Sequence, residues 1–282
     1  METDIKRQVK DFYDQVGWQE VSEGVYQNAR YEDLRPVSSE YIYNCHLRVS
    51  RHIAPSGRYL LDVGSGPIQY PVYEEYSRGY ERRVCADISI TALKEARQRI
   101  GAHGLFVVAD IAHFPFRQDA FDGVVSLHTI HHLPKDEHIT AYRQVYRVLK
   151  PGRSAALVNG WRQPILIRIA EAPIHFRKRM YQLFGRSRGQ LKPKGPKIRK
   201  GEPKGTFVRK YNARWLSREL GRYMPVEILV WRSVSVKVLR NYIHPRWGGR
   251  LLLRLLYWLE DRLPRFFGKY GQYPLIIIRK YE

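Results

Sequence analysis

The sequence predicts an α/β fold, in which a parallel sheet is covered on both faces by helices. The main observation is an alternation between residues 59 and 158: short apolar runs, most ending near glycine or an acid, take turns with stretches of helical periodicity. This pattern is typical of βαβ units, whose crossover helices return the chain to the next parallel strand. A second observation is the hydrophobic content of 44% in 282 residues, which is ample for a core of this kind.

The first apolar run, Tyr59 to Val63, leads directly into a glycine turn. Gly64 and Gly66 tolerate positive φ and let the backbone approach a ligand closely. Asp62 stands at the carboxyl end of the strand, where open α/β sheets bind ligands. A glycine turn after a strand is often only a tight turn. The dinucleotide fingerprint is not matched, because Gln69 occupies the place of its third glycine.

An acid also closes the second strand, predicted over residues 83–87. Asp87 follows Gly66 by 21 residues, close to the spacing of about 20 expected for a carboxylate that holds a ribose. A carboxylate can accept hydrogen bonds from both ribose hydroxyls. Considered alone, Asp87 is also explained as an acid at a helix N-terminus, but its combination with Asp62 and the glycines favours a binding site.

The third strand, predicted over residues 104–110, ends in Asp110 followed by Ile111. This pair suits an adenine, since the carboxylate can accept from the exocyclic amine while the apolar side chain covers the ring. The remaining elements expected before residue 160 are helices at 4–15, 38–52, 89–100 and 134–149, a helix beginning near Pro71, and strands at 121–128 and 154–158.

These motifs stand together in a known order: Asp62-Val-Gly-Ser-Gly66, Asp87, Ala109-Asp110-Ile111, Phe121-Asp122 and Val148-Leu-Lys-Pro-Gly152. As a set, over residues 55–160, they resemble the class I S-adenosylmethionine-dependent methyltransferases, nearest to the small-molecule group that includes quinone and sterol methyltransferases. The resemblance implies a Rossmann-like, doubly wound sheet of seven mostly parallel strands with the last strand antiparallel. The sixth and seventh strands are then expected at 226–231 and 274–279.

The resemblance also implies S-adenosylmethionine as the cofactor and assigns its contacts. Gly64 and Gly66 would approach the methionine part, and Asp62 would steer its amino group. Asp87 would hold the ribose. The contacts implied for the adenine and for the neighbourhood of the sulfonium are Ile88, Asp110, Ile111 and Leu127. One position departs from the family, since Ile68 stands where a third glycine is frequent.

Three histidines, His128, His131 and His132, follow the fourth strand and are the candidate catalytic groups. Methyl transfer from a sulfonium is an in-line displacement that needs alignment and, for a hydroxyl acceptor, a base. We predict His128, and secondarily His132, in that role, because imidazole titrates near neutral pH. Alternatively, His131 and His132 only pack beside the next helix. No convincing set of metal ligands adjoins them, and no Asn/Asp-Pro-Pro-aromatic signature for exocyclic amines is present.

Charge divides the chain into two parts. Residues 1–158 contain 20 basic and 20 acidic residues, and residues 159–282 contain 29 and 7, so the second part carries the whole net charge of +22. We predict four regions: an N-terminal helical lid (1–54), the cofactor-binding core (55–160), a basic insertion (161–225) with a flexible loop at 186–210, and final strands with an amphipathic helix (226–282). The two cysteines and the charged start fit a reducing, cytoplasmic location.

The basic part of the chain does not by itself identify the methyl acceptor. Three arginines, Arg246, Arg250 and Arg254, recur every four residues among leucines. This pattern is typical of a cationic helix that lies in a membrane interface. It also fits a helix that covers the core and exposes a basic side to solvent. We predict O- or C-methyl transfer to a small, lipidic or phosphate-bearing acceptor, near an anionic membrane surface. The alternative is an RNA methyltransferase whose basic half binds phosphates. A non-catalytic binding protein is the third reading. The sequence does not specify the oligomeric state.

Overall fold

A computed structural model of the chain describes residues 2–22, 25–27, 32–184 and 205–282. Its strands, in chain order, are β1 (Glu20–Ser22), β2 (Val25–Tyr26), β3 (Gly57–Val63), β4 (Tyr80–Asp87), β5 (Gly104–Val108), β6 (Gly123–Leu127), β7 (Ser154–Val158), β8 (Val226–Arg232) and β9 (Tyr273–Arg279). Strands β1 and β2 form a separate antiparallel ribbon, and the other seven form the main sheet.

The main sheet has the strand order β5-β4-β3-β6-β7-β9-β8. Strands β3 to β7 pair in parallel, and β9 runs antiparallel to both of its neighbours, β7 and β8. The predicted fold class is therefore confirmed, including the antiparallel last strand. The strand order reverses beside β3, so the carboxyl ends of β3, β4 and β6 surround the crevice where ligands bind in such sheets.

The helices, in chain order, are α1 (Glu2–Phe12), α2 (Ser39–Leu47), α3 (Ile90–Ile100), α4 (Glu137–Val148), α5 (Ile165–Phe184), α6 (Ala213–Leu220), α7 (Val236–Tyr242), α8 (Gly249–Arg262) and α9 (Pro264–Tyr270). As predicted, Ser89 caps α3 by accepting a hydrogen bond from the Ala92 amide. The helix expected near Pro71 is a 3-10 turn, Pro71–Ser77, and α2 is prolonged by another, Arg48–His52.

Alternating side chains of each strand build a core on both faces of the sheet. Leu61 and Val124 face one layer with α4 and α6, whereas Leu60 and Val125 face the other with Trp231. All five side chains are at most 1% exposed. Because successive strand residues point to opposite faces, this double burial explains why the central strands read as continuous apolar runs.

The basic amphipathic segment differs from its prediction. Gly248, with φ of 67°, starts α8, so Arg246 lies in a separate 3-10 turn and does not continue the arginine row. Glycine alone adopts this left-handed conformation without strain. Among the described helices, none is long and apolar enough to span a membrane. Of the predicted loop at 186–210, residues 186–204 lie outside the described part of the chain, and 205–210 run beside the ends of the strands, where Arg209 N donates to His131 O.

Candidate active site

The glycine turn after β3 has the geometry of a ligand cradle. Gly64 and Gly66 have φ of 65° and 55°. A Cβ on Gly64 would lie 2.2 Å from Oγ1 of Thr129, and a Cβ on Gly66 would lie 2.9 Å from the Trp18 ring. Neither position accepts a larger residue, because both the backbone conformation and the surrounding space exclude it.

Ile68, which replaces the frequent third glycine, keeps a left-handed backbone with φ of 55°. A β-branched residue in this region is strained by about 1–2 kcal/mol. Its side chain is fully buried beside Cys85, Leu93 and Ala96. Burial of a side chain of this size contributes about 1.5–3 kcal/mol, enough to hold the strained backbone. The loop thus keeps its left-handed course without the glycine.

Asp87 fixes the cradle from the end of β4. Its Oδ2 accepts from the Gly66 amide at 2.9 Å, and its Oδ1 accepts from the Ser89 amide at 2.8 Å. Burial, opposed by these two bonds, raises the pKa of Asp87 to about 6, with the charges of Asp62 and Asp14 adding to the rise. A carboxylate has lone pairs left after two bonds, so Asp87 can still accept from a ligand's hydroxyls.

Asp62 is engaged by a buried guanidinium. Arg83, on β4, donates from Nε to Oδ2 at 3.1 Å, and a second bond from the same guanidinium reaches the same oxygen. Arg83 also donates to the carbonyl of Tyr73. Both charged side chains are almost completely buried. The pair therefore ties β3 to β4 directly beneath the cradle, and Asp62 contributes a carboxylate whose charge is balanced within the protein.

The predicted adenine contacts lie together on the other side of Asp87. A chamber of about 60 Å³ is lined by Ile88, Asp110 and Ile111 along with Gly64 and Asp87. Its neighbour, of about 130 Å³, is lined by two further predicted contacts, Asp62 and Leu127, and by Ser65 and His128, whereas Gly66 lines neither chamber. The two chambers share Gly64, Asp87, Ile88, Val9, Thr129 and His132 as walls.

Helix α1 and the turn after it cover this cleft. Lys6 forms ion pairs of 2.5 Å with both Asp110 and Glu137. Tyr13 stacks on Trp18 with ring centroids 5.1 Å apart, and both rings line the second chamber. The two chambers are smaller than the roughly 300–1,000 Å³ typical of ligand pockets. With α1 in this position, the cleft has the walls of a cofactor site but not its full volume.

His128, predicted to lie inside the fourth strand, directly follows β6 in a left-handed conformation with φ of 59°. Its amide donates to the Val158 carbonyl at 2.8 Å, which places the ring between Trp231 and Tyr273. Burial, with the charges of Arg232 and Lys210, lowers the pKa of His128 to about 3. The imidazole is therefore neutral at physiological pH and can accept a hydrogen bond.

His132 is held at both ring nitrogens. Nδ1 lies 2.7 Å from the Phe207 carbonyl, which can only accept, so Nδ1 carries the proton. Nε2 then accepts from the hydroxyl of Tyr13 at 2.9 Å. Burial lowers the pKa of His132 to about 4, in keeping with this neutral form. His131 is also buried and lies between the other two histidines. In this arrangement His132 joins two chain segments, whereas the His128 ring packs against Trp231 and Tyr273 and lines the cleft beside the glycine cradle.

A separate cavity of about 320 Å³, larger than the two chambers, opens beside the histidines. We call it the acceptor cavity. Its lining is aromatic and basic: Phe12, Tyr13, Glu32, Gln69, Tyr70, Tyr73, His128, His131, His132, Gly205, Thr206, Val208, Lys210, Trp231, Arg232 and Tyr273. Its walls include Tyr13, Gln69, Tyr73, His128 and His132, which also line the cleft beside the glycine cradle.

Several site residues carry no sequence signal. Lys6, Glu32 and Lys210 come from segments that are remote along the chain, and Arg232 ends an ordinary apolar strand. The predicted N-terminal lid contains Lys6 and Glu32, but no motif marks either position. Among the described residues, no group of three or more His, Cys, Asp or Glu could hold a metal ion.

Comparison with known proteins supports the predicted fold and the predicted resemblance to methyltransferases. A family model described as a methyltransferase domain matches residues 61–157. Sterol methyltransferase-like 1 of Botryococcus braunii is 28% identical over 171 residues, 57% of this chain and 42% of that protein. Methyltransferase GfsG of Streptomyces halstedii is 29% identical over 109 residues, 37% of this chain and 38% of that protein. The chain thus spans less than half of the length of these curated relatives.

Among solved structures, geranyl diphosphate C-methyltransferase from Streptomyces coelicolor, in complex with Mg²⁺, geranyl diphosphate and S-adenosyl-L-homocysteine, has a TM-score of 0.55 and covers 98% of both chains at 13% identity. This likeness supports the fold. The glycine cradle, the buried acid that fixes it and the acid beside an apolar wall are the groups that the resemblance assigns to S-adenosylmethionine. Residues 61–157 therefore form a methyltransferase domain, which supports the predicted resemblance to the class I S-adenosylmethionine-dependent methyltransferases.

Proposed function

We propose that the protein transfers a methyl group from S-adenosylmethionine to a small-molecule acceptor bound in the acceptor cavity. The observation that carries this proposal is the shared wall between the cleft at the glycine cradle and the acceptor cavity, formed by His128, His132, Tyr13, Gln69 and Tyr73. A ligand on each side of this wall would meet beside His128.

The side chains of the cleft would bind and orient the cofactor. Asp87 would accept from the ribose hydroxyls, and Gly64 and Gly66 would let the methionine part lie against the backbone. Asp110 and Ile111 would hold the adenine. When bound, S-adenosylmethionine supplies an electrophilic methyl group on a sulfonium. Alignment of two bound reactants is the main contribution of the protein to such a displacement.

His128 would contact the acceptor. Its neutral imidazole can accept a hydrogen bond from an acceptor hydroxyl, or orient a carbon nucleophile, without a competing charge. The rings of Tyr70, Tyr73 and Tyr273 would cover the apolar part of the acceptor. The relatives named for sterols and for geranyl diphosphate make apolar acceptors a natural choice, and O- or C-methylation remains our proposal.

The cofactor would enter only after α1 moves. Lys6 forms an ion pair with the Asp110 carboxylate, and the rings of Tyr13 and Trp18 fill the space beside Gly66. Displacement of these side chains would enlarge the two chambers and free Asp110 for the adenine. In this proposal the N-terminal segment is a lid over the cleft at the glycine cradle.

Radiolabelled S-adenosylmethionine, incubated with cell extract and the pure protein, tests the transfer. We expect label in an organic-soluble product with the wild type and a loss of that label with Asp87→Ala. Label that appears only in RNA would favour the alternative acceptor and contradict this proposal.

We further propose that α8 and α9 rest on an anionic membrane surface. Helix α8 turns Glu260 inward, where it is fully buried and accepts from Tyr41 OH and Arg48 NH1, both at 2.7 Å. The opposite face of α8 exposes leucines and a tryptophan. The exposed apolar side chains on α8, α9 and the adjoining turns are Trp247, Leu251, Leu252, Leu255, Trp258, Leu263 and Phe266.

Charge surrounds this apolar face. Arg250, Arg262, Arg265 and Lys269 are exposed on the same two helices, and Arg262 lies over the Trp258 ring. An apolar face with flanking arginines matches the interface of an anionic bilayer, where each basic side chain contributes about 1 kcal/mol. An RNA groove would need stacking rings but not a row of exposed leucines.

Vesicle sedimentation tests this surface. We expect binding to vesicles that contain phosphatidylglycerol and much weaker binding to pure phosphatidylcholine. The triple variant Leu251→Ser, Leu255→Ser, Trp258→Ser should lose it. The control, Leu105→Ser with Val108→Ser, removes exposed apolar side chains at the opposite edge of the sheet and should bind normally. Equal binding of both variants, or complete release by competing RNA at moderate salt, would contradict the proposal.

A further inference from the structure

We propose that the acceptor cavity contains an anion subsite formed by Lys210, Arg232 and Thr206, and that the methyl acceptor carries a carboxylate or phosphate group bound there. This inference rests on the proposed function, since it takes the occupant of the cavity to be the methyl acceptor.

The charges on the cavity wall do not balance. Glu32 is the only carboxylate among the described lining residues, and it is already paired with NH1 of Arg232. Lys210 lies in the wall without an ion-pair partner in the described part of the chain, and burial alone lowers its pKa. One positive charge is therefore left over on the wall of this cavity, where Lys210 is partly buried. A buried charge of this kind is costly unless a counter-charge arrives with a ligand.

Polar atoms on the same wall also lack partners. Arg232 is 2% exposed, and its Nε has no hydrogen-bond partner among the described residues. The same holds for Oγ1 of Thr206 and Nε1 of Trp231, and all three residues line the cavity. Buried donors in native proteins are nearly always paired. An anion with two or three oxygens could accept from several of these groups at once.

The lowered pKa values of the three histidines reflect the same positive potential. The charge of Lys210 contributes to a lowered pKa at His128, His131 and His132, and that of Arg232 contributes at His128. A neutral ligand could satisfy the unpaired donors, but it would leave the Lys210 charge uncompensated. An anionic group answers both observations, which is why we choose it.

The sheet topology gives the subsite a direction. Arg232 ends β8, whereas His128 follows β6, and the glycine cradle follows β3. Lys210 packs against Gly160, just beyond β7, where an added Cβ would lie 3.0 Å from Nζ. The cofactor cleft and the anion subsite therefore lie on opposite sides of His128. The anionic end of the acceptor would be held over β7 to β8, and its reactive end would point toward the sulfonium.

Calorimetry with simple probes tests the subsite. Octyl phosphate, octanoate and octanol are titrated into the full chain saturated with S-adenosylhomocysteine, so that no probe can occupy the cofactor cleft. We expect the two anions to bind and octanol to bind much more weakly; the tighter of the two anions identifies phosphate or carboxylate as the favoured group.

Variants then assign the binding to named side chains. Lys210→Met should weaken binding of the anions by about 10- to 100-fold, the loss expected for a buried charge-assisted hydrogen bond. Lys210→Arg should retain most of it. The matched control Lys178→Met removes an exposed lysine of α5 and should change nothing. Thr206→Val, which keeps the side-chain shape, gives a milder loss and serves if Lys210→Met does not fold.

Two results would overturn the proposal: unchanged anion affinity in a folded Lys210→Met protein, or octanol binding as tightly as octyl phosphate. Failure of S-adenosylhomocysteine itself to bind the wild type is a different result and would contradict the proposed function instead.

Discussion

Tyr13 donates its hydroxyl hydrogen to Nε2 of His132 across 2.9 Å, and this bond joins the segment after α1 to the end of β6. Because Nδ1 of the same ring donates to the Phe207 carbonyl, two distant chain segments meet on one neutral imidazole. The N-terminal segment and the segment at 205–210 are therefore joined through His132, which lines both the cleft at the glycine cradle and the neighbouring cavity.

Tyr13→Phe should loosen the lid. The variant keeps the ring stacked on Trp18 but removes one hydrogen bond, worth about 0.5–1.5 kcal/mol. We expect faster hydrogen exchange of the α1 amides and faster association of S-adenosylhomocysteine. Tyr43→Phe, at an exposed tyrosine of α2, is the control and should behave as the wild type. Unchanged exchange of α1 in Tyr13→Phe would show that this bond does not hold the lid.

Arg83→Met should destabilise the fold severely. The change leaves the buried Asp62 carboxylate without its counter-charge and removes a donor from the Tyr73 carbonyl. Breaking a buried pair in this way costs about 3–5 kcal/mol. Urea unfolding measures the loss, and Arg82→Met, at the exposed neighbouring position, provides the comparison. Similar unfolding midpoints for the two variants would show that the Arg83–Asp62 ion pair does not stabilise the fold.

His128→Ala should lower turnover by about 10²- to 10⁴-fold, the usual contribution of a positioned acid or base, while leaving cofactor affinity nearly intact. His128 should stay neutral down to about pH 3 in the cofactor-free protein, because burial and nearby cations disfavour its charged form. NMR titration of the ring protons checks this. An anion bound beside Lys210 should raise that pKa. Normal titration near pH 6.5 would contradict the burial argument.

The pH dependence of cofactor binding should follow Asp87. Ribose hydroxyls donate to the ionised carboxylate, and the pKa of Asp87 is raised to about 6. We therefore expect affinity for S-adenosylhomocysteine to fall as the pH drops below about 6. Stability of the cofactor-free protein should change in the opposite direction. The folded state holds this proton more tightly than the unfolded chain, so the Asp87 contribution favours folding as the pH falls from 6 toward 4.

Asp87→Asn isolates this dependence, because the variant cannot titrate at this position. The difference between wild type and variant, in affinity and in unfolding midpoint, should change between about pH 4 and 7 and stay constant above and below this range. A constant difference across this range would mean that Asp87 does not change its protonation there.

The sheet and the meeting of Asp62, Gly64 and Asp87 at one edge were predictable, because short-range sequence signals determine the strands and the turns that follow them. Each strand of the core is recognisable in the sequence as a short apolar run. Because the carboxyl ends of parallel strands meet at one edge of the sheet, Asp62, Gly64 and Asp87 were expected to lie close together. Ile68 was harder to interpret, since nothing local indicates that a buried isoleucine would keep the backbone conformation of a glycine.

The acceptor cavity could not be predicted in the same way. Glu32, Lys210 and Arg232 lie far apart in sequence, and only tertiary packing brings them to one wall. Gly248 also ended the expected arginine row, because a left-handed residue starts α8 one turn late. The inward position of Glu260 was not predictable either, because its partners Tyr41 and Arg48 belong to α2 and the turn after it, which are distant in sequence.

The central claim is that Asp87 and the glycine cradle form a site for S-adenosylmethionine, and calorimetric titration with S-adenosylhomocysteine tests it most directly. We expect binding to the wild type, a loss of about 1.5–3 kcal/mol with Asp87→Ala, as for charge-assisted hydrogen bonds, and no loss with the exposed control Asp136→Ala. Unchanged affinity in Asp87→Ala, or a wild type that binds a nicotinamide dinucleotide and not S-adenosylhomocysteine, would contradict the account.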